Sequence, residues 1–435
     1  MKKALLAAAL MSAGVVAHAQ SSVTLYGRLD AGVAYMNGVG AGSGANGQAT
    51  HGTSQVQLES GYWGTSLWGM KGVEDLGGGN KALFQLEGSF STATGAGPGN
   101  GGLFNRWATV GMSNDNYGTL LLGRELMIVN GIWDFDPFGQ SNWSSASMVR
   151  GRNWPQSSNN ISYQSPKFYG FDVYGQYSFS NATNWNGNGT TSQGRQNGIQ
   201  LTYTNSLFQV RGIYDEIRNP ANGTLGGTYD QTNADNASQG VFAYSRDYMA
   251  MVNVFLGPFK VQGGYEAVRS SGMTGLAIGQ PSTLDHEWGG VTWQATPAAA
   301  LIAAVYHVNA NNGGGNATLY TIGGSYNLSK RTLLDLQVAT VQNSKSANFG
   351  LNANNYGDSA ATGNPLAGHS QTGVYAGIQH SFLIPDECRQ NSYIDVFTLL
   401  REARIGAVSE RVPHRFLFLG DLRAALFLCR RHAVT

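Results

Sequence analysis

The chain has 435 residues, of which 60 are glycine, with 12% charged residues, 11% aromatic residues and a formal net charge of +1. Glycine is about twice as frequent, and charged residues about half as frequent, as the ~7% and ~25% usual in globular proteins. The aromatic content argues against a disordered polar chain, and nothing in the charge balance indicates nucleic acid as a partner. This composition suits many strands joined by tight turns.

Residues 1–19 have the pattern of a secretory signal peptide. Two lysines precede an apolar run of small residues, and the triplet that ends at Ala19 matches an A-x-A cleavage site. The apolar run is shorter than the ~20 residues that a membrane-spanning helix needs. We therefore expect export, and a mature chain that begins at Gln20.

Apolar and polar residues alternate in many short segments, a period of two that is typical of β-strands. In Gln371–Phe382, for example, Val374, Ala376 and Ile378 share one face. We predict sixteen strands, over 23–35, 63–73, 81–90, 104–113, 119–124, 160–166, 168–180, 197–205, 208–217, 243–256, 259–268, 287–296, 299–308, 317–328, 332–342 and 371–382.

The connections between these strands alternate between short turns and long polar runs, the plan of an outer-membrane barrel. A closed sheet pairs every backbone polar group within lipid and leaves no edge. One face of the strands would then be apolar, and the other would carry polar residues that include Lys71, Lys81, Glu87, Gln262, Glu266, Asp335 and Gln337. A soluble sandwich also alternates, but the signal peptide and the unequal connections favour an all-β, antiparallel transmembrane barrel of sixteen strands over residues 20–382.

The alternation breaks between Glu125 and about Ser158. This stretch contains Asp134, Asp136 and a group of aromatic residues, namely Trp133, Phe135, Phe138, Trp143 and Trp154. A long aperiodic run inside a compact domain is usually functional.

Seven short motifs occur in order along residues 20–382: VTLYGRLDAGV (23–33), SLWGMKGVEDLG (66–77), FNRWATVGM (104–112), GTLLLGRE (118–125), SYQSPKFYGF (162–171), YNLSKRT (326–332) and VYAGIQHSF (374–382). Together they resemble the Gram-negative general porins of the neisserial and burkholderial type. The resemblance implies a homotrimer of outer-membrane barrels, each a water-filled channel for passive diffusion of ions and small hydrophilic solutes. It also implies that the third loop, at about 125–158, folds into the lumen.

The same resemblance suggests which residues shape the channel. The loop acids Glu125, Asp134 and Asp136 would face a basic wall formed by Arg28, Lys71, Lys81, Arg106 and Arg124. Opposed charges across a narrow pore would orient dipolar solutes and set selectivity. Each residue could instead be a solvated lumen charge or part of a salt bridge that anchors the loop. The resemblance leans towards anion preference, and the rings of Phe135, Phe138 and Trp143 would pin the loop to the wall.

Phe382 would be the terminal aromatic signal for the barrel assembly machinery, and outer-membrane lipid and lipopolysaccharide are the other expected partners. The tail, residues 383–435, departs from the family: it holds both cysteines and lacks strand alternation. We interpret the tail as a read-through or frame-shifted product that is weakly helical or disordered; the alternative is an appended periplasmic domain. We expect the tail to hinder assembly.

No Ser/His/Asp set, HExxH, P-loop or CxxC pattern occurs, and the histidines lack metal spacing. We therefore expect no enzymatic activity, no cofactor and no metal. The alternative function is an outer-membrane barrel that acts mainly as a surface adhesin or receptor through its long loops.

Overall fold

A computed structural model describes residues 22–42, 44, 49–97, 102–139, 141–149, 156–179, 195–218, 244–272, 281–351 and 363–382. The strands are β1 (Ser22–Ala41), β2 (His51–Ser60), β3 (Leu67–Gly77), β4 (Asn80–Ser89), β5 (Trp107–Asn114), β6 (Gly118–Leu126), β7 (Gln156–Gln164), β8 (Phe171–Ser178), β9 (Arg195–Thr204), β10 (Phe208–Arg218), β11 (Tyr244–Leu256), β12 (Phe259–Ser271), β13 (Thr283–Gln294), β14 (Ala299–Ala310), β15 (Gly315–Asn327), β16 (Thr332–Asn343) and β17 (Gln371–Phe382). In the described part of the chain, no helix has the length and apolar character needed to cross a membrane.

Consecutive strands pair antiparallel from β3 to β17, and the sheet closes where β17 pairs with β1. The closing register runs from Gly27 opposite Phe382 to Met36 opposite Gly373. On its other side, β1 pairs with β3 over residues 22–28. This confirms the predicted closed antiparallel barrel of sixteen strands, with β2 as one extra strand.

The two faces of the sheet differ as the alternation predicts. On β11, for instance, Tyr248, Ala250 and Val252 are exposed, whereas Asp247 and Asn253 are buried. The exposed row continues around the sheet as an apolar band, to which Leu29, Val110, Leu122, Leu201, Val261, Val291, Leu301, Ile322, Leu336 and Ile378 contribute. An apolar outer band around a polar inner face is the arrangement that a bilayer requires of a barrel.

Aromatic side chains flank the apolar band near the strand ends. Close to the short turns, Phe171, Tyr203 and Phe208 pack in a row, and Phe259 stacks on Trp293. Near the other rim, the Tyr214 ring lies 5.2 Å from that of Tyr248. Two such aromatic girdles mark the membrane interfaces of outer-membrane barrels.

The structure corrects three details of the predicted strands. Strand β2 was not predicted. It pairs with the C-terminal half of β1, from Ala31 opposite Ser60 to Ala41 opposite His51. Strand β8 begins at Phe171 rather than at Phe168, because Tyr169 has a φ of 48° and lies in a turn. The β14–β15 connection lies at the rim where the alternation predicts long connections, but it comprises only residues 311–314.

Several predictions fall on residues outside the described ranges. These are the signal peptide with its cleavage after Ala19, the tail 383–435 with both cysteines, and Trp154 of the aromatic group. Phe382, the predicted assembly signal, is described and is the last residue of β17.

Candidate functional site

The segment between β6 and β7 is described over 127–139 and 141–149 and contains two short helices. A 3₁₀ helix covers Ile128–Asp134, and one turn of α-helix, α1, covers Ser145–Met148. The Ser144 side chain caps α1 by accepting a hydrogen bond from the Ala146 N–H. We call residues 127–149 the anchored segment, because contacts with the barrel wall hold it along its length.

The first contacts of the anchored segment are with β8, β9 and β10. The Ile128 N–H donates to Gln176 Oε1 at 2.9 Å, and Gln176 Nε2 donates to the Leu126 carbonyl at 2.9 Å. Further along, Arg211 Nη1 donates to the Gly131 carbonyl at 2.9 Å. The backbone groups that a 3₁₀ helix leaves unpaired at its ends are thus bound by wall side chains.

Asp134 is held at both its side chain and its carbonyl group. Its carboxylate pairs with Arg211 at 2.5 Å and is 33% exposed, while the Arg211 side chain is 10% exposed. The Asp134 carbonyl accepts hydrogen bonds from Asn253 at 3.1 Å, Gln262 at 3.2 Å and Lys260 at 3.5 Å. A mainly buried arginine and a lysine therefore lie beside this acid.

Phe135 and Asp136 are fully buried against β10, β13 and β14. The Arg211 guanidinium carbon lies 4.9 Å from the Phe135 ring centroid, a cation–π contact. Trp288 Nε1 donates to the Phe135 carbonyl at 3.0 Å, and the Tyr306 hydroxyl donates to Asp136 Oδ1 at 2.6 Å. Three aromatic side chains and one carboxylate thus form the centre of the attachment.

The Asp136 carboxylate also organises the backbone of the segment. Its Oδ1 accepts from the Phe138 N–H at 2.9 Å, and its Oδ2 accepts from the Ser145 N–H at 3.0 Å. Burial raises the pKa of the Asp136 carboxyl above its ordinary value of 3.8, and the donors from Ser145, Tyr306 and Phe138 oppose that rise. Asp136 is therefore sealed from solvent and acts as a structural acceptor.

The last part of the segment reaches β15, β16 and β17. Ser141 Oγ donates to Gln337 Oε1 at 2.5 Å, and Thr321 Oγ1 donates to the Trp143 carbonyl at 2.9 Å. The fully buried Trp143 ring packs against Tyr62 at 5.7 Å and Tyr375 at 6.3 Å between centroids. Burial, together with the neighbouring Glu59, raises the pKa of the Tyr62 hydroxyl, which stays a neutral donor.

Two wall glycines leave space for this packing. A Cβ at Gly290 would lie 2.6 Å from Pro137 Cγ, and one at Gly373 would lie 2.8 Å from the Trp143 ring. Both distances are too short for a real side chain, so these positions require glycine for close approach. Phe135, Phe138 and Trp143, which we expected to pin the loop to the wall, are buried.

Glu125, the first of the predicted loop acids, lies at the end of β6 and is buried. Its carboxylate accepts hydrogen bonds from Asn160 Nδ2 at 2.9 Å and from the Tyr174 hydroxyl at 3.1 Å. Of the three predicted acids, Asp134 is therefore the one with substantial exposed surface.

The predicted basic residues do not form one group. Arg106 is buried and pairs with Glu87 on β4 at 2.6 Å, and Arg28 on β1 donates to the Thr65 carbonyl at 2.9 Å. Lys71 is half-buried on β3. Lys81 pairs with Asp115 at 3.2 Å beside two short turns, which places it at that rim of the barrel.

The register of β6 places Arg124 on the outward face of the sheet. It follows Leu120 and Leu122, which are exposed, and it stands opposite Ala108 on β5. Its side chain donates to the Asn105 carbonyl and to Ser158 Oγ. Arg124 thus shares a face with the apolar band and not with Glu125.

Arg211 and Lys260 were not among the predicted site residues, although both lie next to Asp134. The alternation in β10 and β12 could have placed them on the polar face, because Arg211 has the parity of the buried Asp215 and Lys260 has the parity of the buried Gln262. Their pairing with the segment depends on its path through space. Within the described residues, no three His, Cys, Asp or Glu side chains are grouped so that they could hold a metal ion.

Comparison with known proteins assigns the family. A family model described as Gram-negative porin matches residues 4–346. The chain belongs to this family. Outer membrane porin protein 32 of Delftia acidovorans is 32% identical over 397 residues, which cover 88% of this chain and 100% of that protein. The porin resemblance is thereby confirmed, and the chain is an outer-membrane porin.

Other relatives match over shorter stretches. An outer membrane porin of Bordetella pertussis is 36% identical over 247 residues, which cover 53% of this chain and 63% of that porin. Major outer membrane protein P.IB of Neisseria meningitidis is 34% identical over 185 residues, 41% of this chain and 50% of that protein. The chain thus spans less than two thirds of the length of these two relatives.

Solved porin structures have the same fold. An anion-selective porin from Comamonas acidovorans is 25% identical, with a TM-score of 0.64 over 83% of this chain and 100% of that one. A loop-deletion mutant of an outer membrane protein of Vibrio cholerae is 13% identical, with a TM-score of 0.56 over 83% of this chain and 99% of that chain, a likeness of fold alone.

Proposed function

We propose that this porin is a passive diffusion channel for ions and small hydrophilic solutes, and that the anchored segment folds into the bore and narrows it. A sixteen-stranded barrel is wide enough for an aqueous channel. Selectivity in such a channel comes from the constriction and the charges around it. The observation that carries the proposal is the series of contacts between residues 127–149 and side chains on the polar face of the wall.

These contacts follow the wall strand by strand. The segment meets Gln176 on β8, Arg211 on β10, Trp288 on β13, Tyr306 on β14, Thr321 on β15 and Gln337 on β16. All of these wall residues lie on the face opposite to the exposed apolar band. A segment that reaches so many strands of a closed barrel on that face supports a position inside the bore.

The charges around the segment favour anions. Glu125 and Asp136 are buried acceptors, and Asp134 is paired with Arg211 beside Lys260. With its acids buried or paired, the segment offers water little uncompensated negative charge. We propose that Arg211, Lys260, Arg28 and Lys71 give the pore a preference for anions, as in the anion-selective porin of Comamonas acidovorans.

Single-channel recording of the refolded chain 20–382 in planar bilayers tests this proposal. We expect ohmic conductance that rises in groups of three steps, as a homotrimer would give. In a salt gradient, we expect a reversal potential whose sign shows that anions permeate more readily than cations. Absence of conductance from folded, heat-resistant protein would overturn the channel proposal and favour a surface adhesin or receptor.

The position of the anchored segment has its own test. A Cβ at Gly131 would lie 2.7 Å from Gln200 Oε1 on β9, and Ser141 binds Gln337 on β16. Cysteine pairs at Gly131 with Gln200, and at Ser141 with Gln337, would join the segment to the wall. Oxidation should leave the conductance of folded channels almost unchanged if the segment already lies there. Cysteines that do not crosslink, in protein that folds normally, would contradict a position against the wall.

A further inference from the structure

The connection between β2 and β3, residues 61–66, leaves the line of the wall. Ala31 of β1 pairs with Ser60, the last residue of β2. Arg28 of β1 pairs with Leu67, the first residue of β3. Residues 29 and 30 of β1 therefore stand opposite residues 61–66. Extra residues of this kind bend a strand and change where its side chains point, often next to active sites. We call residues 61–66 the β2–β3 bend.

The β2–β3 bend lies over the polar face of the wall. The Tyr62 ring stacks on that of Tyr375, with 5.1 Å between the centroids. Arg28 Nε donates to the Thr65 carbonyl at 2.9 Å, and a Cβ at Gly64 would lie 2.8 Å from the Arg28 guanidinium carbon. Arg28 and Tyr375 both belong to the face opposite to the exposed apolar band. The chain therefore turns towards the bore between β2 and β3.

Asp30 fixes the bend in this position, and its side chain is fully buried. Its Oδ2 accepts hydrogen bonds from the Gly64 N–H at 3.2 Å and from Gln379 Nε2 at 3.0 Å, and its Oδ1 accepts one from the Tyr375 hydroxyl at 3.2 Å. The Asp30 N–H donates to Ser66 Oγ at 3.0 Å. Since these bonds join the bend to β1 and β17, the bend is part of the wall and not a free loop.

The bend meets the last part of the anchored segment. The Asn142 N–H donates to the Tyr62 carbonyl at 3.0 Å. The Trp63 ring lies edge-on to the buried Phe138 ring, with 6.4 Å between the centroids and 83° between the planes. Trp63 therefore stands where the two inward elements meet, beside the constriction that we propose for the anchored segment.

Trp63 differs from three tryptophans of the anchored segment and its wall. Trp133, Trp143 and Trp288 are buried, whereas Trp63 is half-buried. The Trp63 indole N–H is neither buried nor hydrogen-bonded within the described residues. On the polar face of a closed barrel, the space that reaches this ring is the bore. Part of the indole ring and its N–H are thus available to a solute.

The surroundings of Trp63 suit a planar anion. A second aromatic ring packs on an indole with more attraction than its buried area alone gives, and the indole N–H donates to a carboxylate. The Arg28 guanidinium lies next to Gly64, which follows Trp63 in the chain. A guanidinium group attracts negative charge. A solute with both a ring and an acid group would use all of these features.

We propose that Trp63 is a contact for permeating solutes and that it favours anions which carry a planar aromatic ring. The solute ring would pack on the exposed part of the indole, and the acid group would accept a hydrogen bond from the indole N–H. A saturated ring of the same charge lacks the π face and gains less. This inference rests on the proposed function as an anion-preferring channel and names a class of solute for it.

Block of the chloride current by added solute, measured on the purified protein in planar bilayers, tests the proposal. Benzoate and cyclohexanecarboxylate are the matched solutes, because both carry one negative charge on a six-membered ring and only benzoate is aromatic. In the wild type, benzoate should block at the lower concentration. Trp63→Leu should raise the half-blocking concentration of benzoate about threefold to tenfold, the range of a single aromatic contact, and that of cyclohexanecarboxylate by less than about twofold.

Trp68→Leu is the matched control, because Trp68 stands opposite Gly27 on the outward face and packs on Phe104. Both solutes should block this variant as they block the wild type. Trp63→Phe, which keeps a ring but loses the N–H, should retain most of the block by benzoate. The heat-resistant folded band and the chloride current without added solute establish that each variant is a folded channel.

Two results would overturn the proposal while the channel function stands. One is a block by benzoate in Trp63→Leu that equals that of the wild type. The other is an equal loss of block for both solutes, which would show that Trp63 only sets the width of the pore. Absence of chloride current from folded wild-type protein would overturn the proposed function and this inference together.

Discussion

Strands β10–β14 carry charged and polar side chains on both faces, and the two faces hold them differently. On the polar face, Tyr306 is fully buried where it binds Asp136 of the anchored segment, and the Arg211 side chain is 10% exposed. On the outward face, Asp285 and Arg269 have side chains that are 40% and 37% exposed. The inner and outward residues lie in the same group of strands. Their difference in exposure therefore follows from the anchored segment, which covers the inner face.

This comparison shows what the anchored segment does to the wall. A polar residue on the inner face of a wide barrel could be solvated by pore water. Where residues 134–136 cover it, the same residue becomes a buried donor whose partner must be present, because an unpaired buried group costs ~1–3 kcal/mol. The outward arginines remain partly exposed, and exposed ion pairs contribute only ~0–1 kcal/mol. Inner contacts should therefore control stability and conductance, and outer contacts should affect both much less.

The largest difference is expected between Asp136→Ala and Asp285→Ala. The first leaves the Tyr306 hydroxyl and two backbone N–H groups unpaired in a buried site, and should lower the free energy of unfolding by about 3 kcal/mol. The second removes one exposed ion pair and should cost less than ~1 kcal/mol. The thermal midpoint of the electrophoretic mobility shift measures both losses.

Conductance should separate these two variants as well. Release of the anchored segment should raise the single-channel conductance of Asp136→Ala and make it noisier, while Asp285→Ala should conduct like the wild type. Similar losses of stability in both variants, or unchanged conductance in Asp136→Ala, would contradict the contrast between the two faces.

The stability given by Asp136 should depend on pH. Burial raises its pKa above the ordinary value of 3.8, so the folded state retains this proton at a higher pH than the unfolded state. The favourable contribution is therefore complete below 3.8 and is lost as pH rises through the raised pKa. Each unit by which the pKa in the folded state exceeds that in the unfolded state corresponds to about 1.4 kcal/mol in the free energy of unfolding.

Asp136→Asn is the reference for this measurement, because the amide does not titrate. The thermal midpoint of the wild type should fall relative to that of the variant as the pH rises from about 4 towards neutral. A constant difference between the two midpoints over that range would show that the carboxyl of Asp136 does not change its protonation there.

Ion selectivity should respond to inner charges and ignore outer ones. Arg211→Gln removes a positive charge beside the partly exposed Asp134, and should lower the anion-to-cation permeability ratio about twofold to fivefold, since unit charges a few ångströms apart interact by ~1 kcal/mol in water. Asp134→Asn should shift the ratio in the opposite direction.

Arg218→Gln is the outward counterpart on the same strand. It removes the same charge from the outward face, seven residues further along β10 at the rim of the long connections, and should leave the reversal potential in a salt gradient unchanged. A shift as large as that of Arg211→Gln would mean that the field in the pore does not depend on which face carries the charge.

The local pattern of the sequence was sufficient to predict the barrel. A period of two records which face of a strand is apolar, so all sixteen wall strands could be found from residues a few positions apart. Strand β2 was missed because it lies in a polar, glycine-rich stretch; among the described strands it pairs with β1 alone. Tyr169 was assigned to a strand because an aromatic residue gave no sign of its left-handed backbone.

The position of the candidate site could be predicted from the sequence, but its contacts with the wall could not. The loss of alternation after Glu125 marked the segment, and its aromatic residues indicated anchoring. Its partners are distant in sequence: 153 positions separate Phe135 from Trp288, and 196 separate Ser141 from Gln337. No local pattern records such a path. For the same reason Glu125 and Asp136, which look like pore acids in the sequence, are buried acceptors in the fold.

The smallest effect we expect distinguishes the two faces within a single strand, β13. Trp288→Phe keeps an aromatic ring but removes the Nε1 donor that binds the Phe135 carbonyl at 3.0 Å, and should cost about 1 kcal/mol. Trp293→Phe changes a girdle residue that stacks on Phe259 on the outward face. Its stacking partner remains, so the thermal midpoint should change less.

Open-channel noise gives the clearer readout for this pair. A weakened bond to Phe135 should let the anchored segment move more often, so current fluctuations should grow in Trp288→Phe and stay as in the wild type in Trp293→Phe. If both variants were equally noisy, ring size or strand stability would explain the change, and the Trp288 hydrogen bond would have no special part in holding the segment.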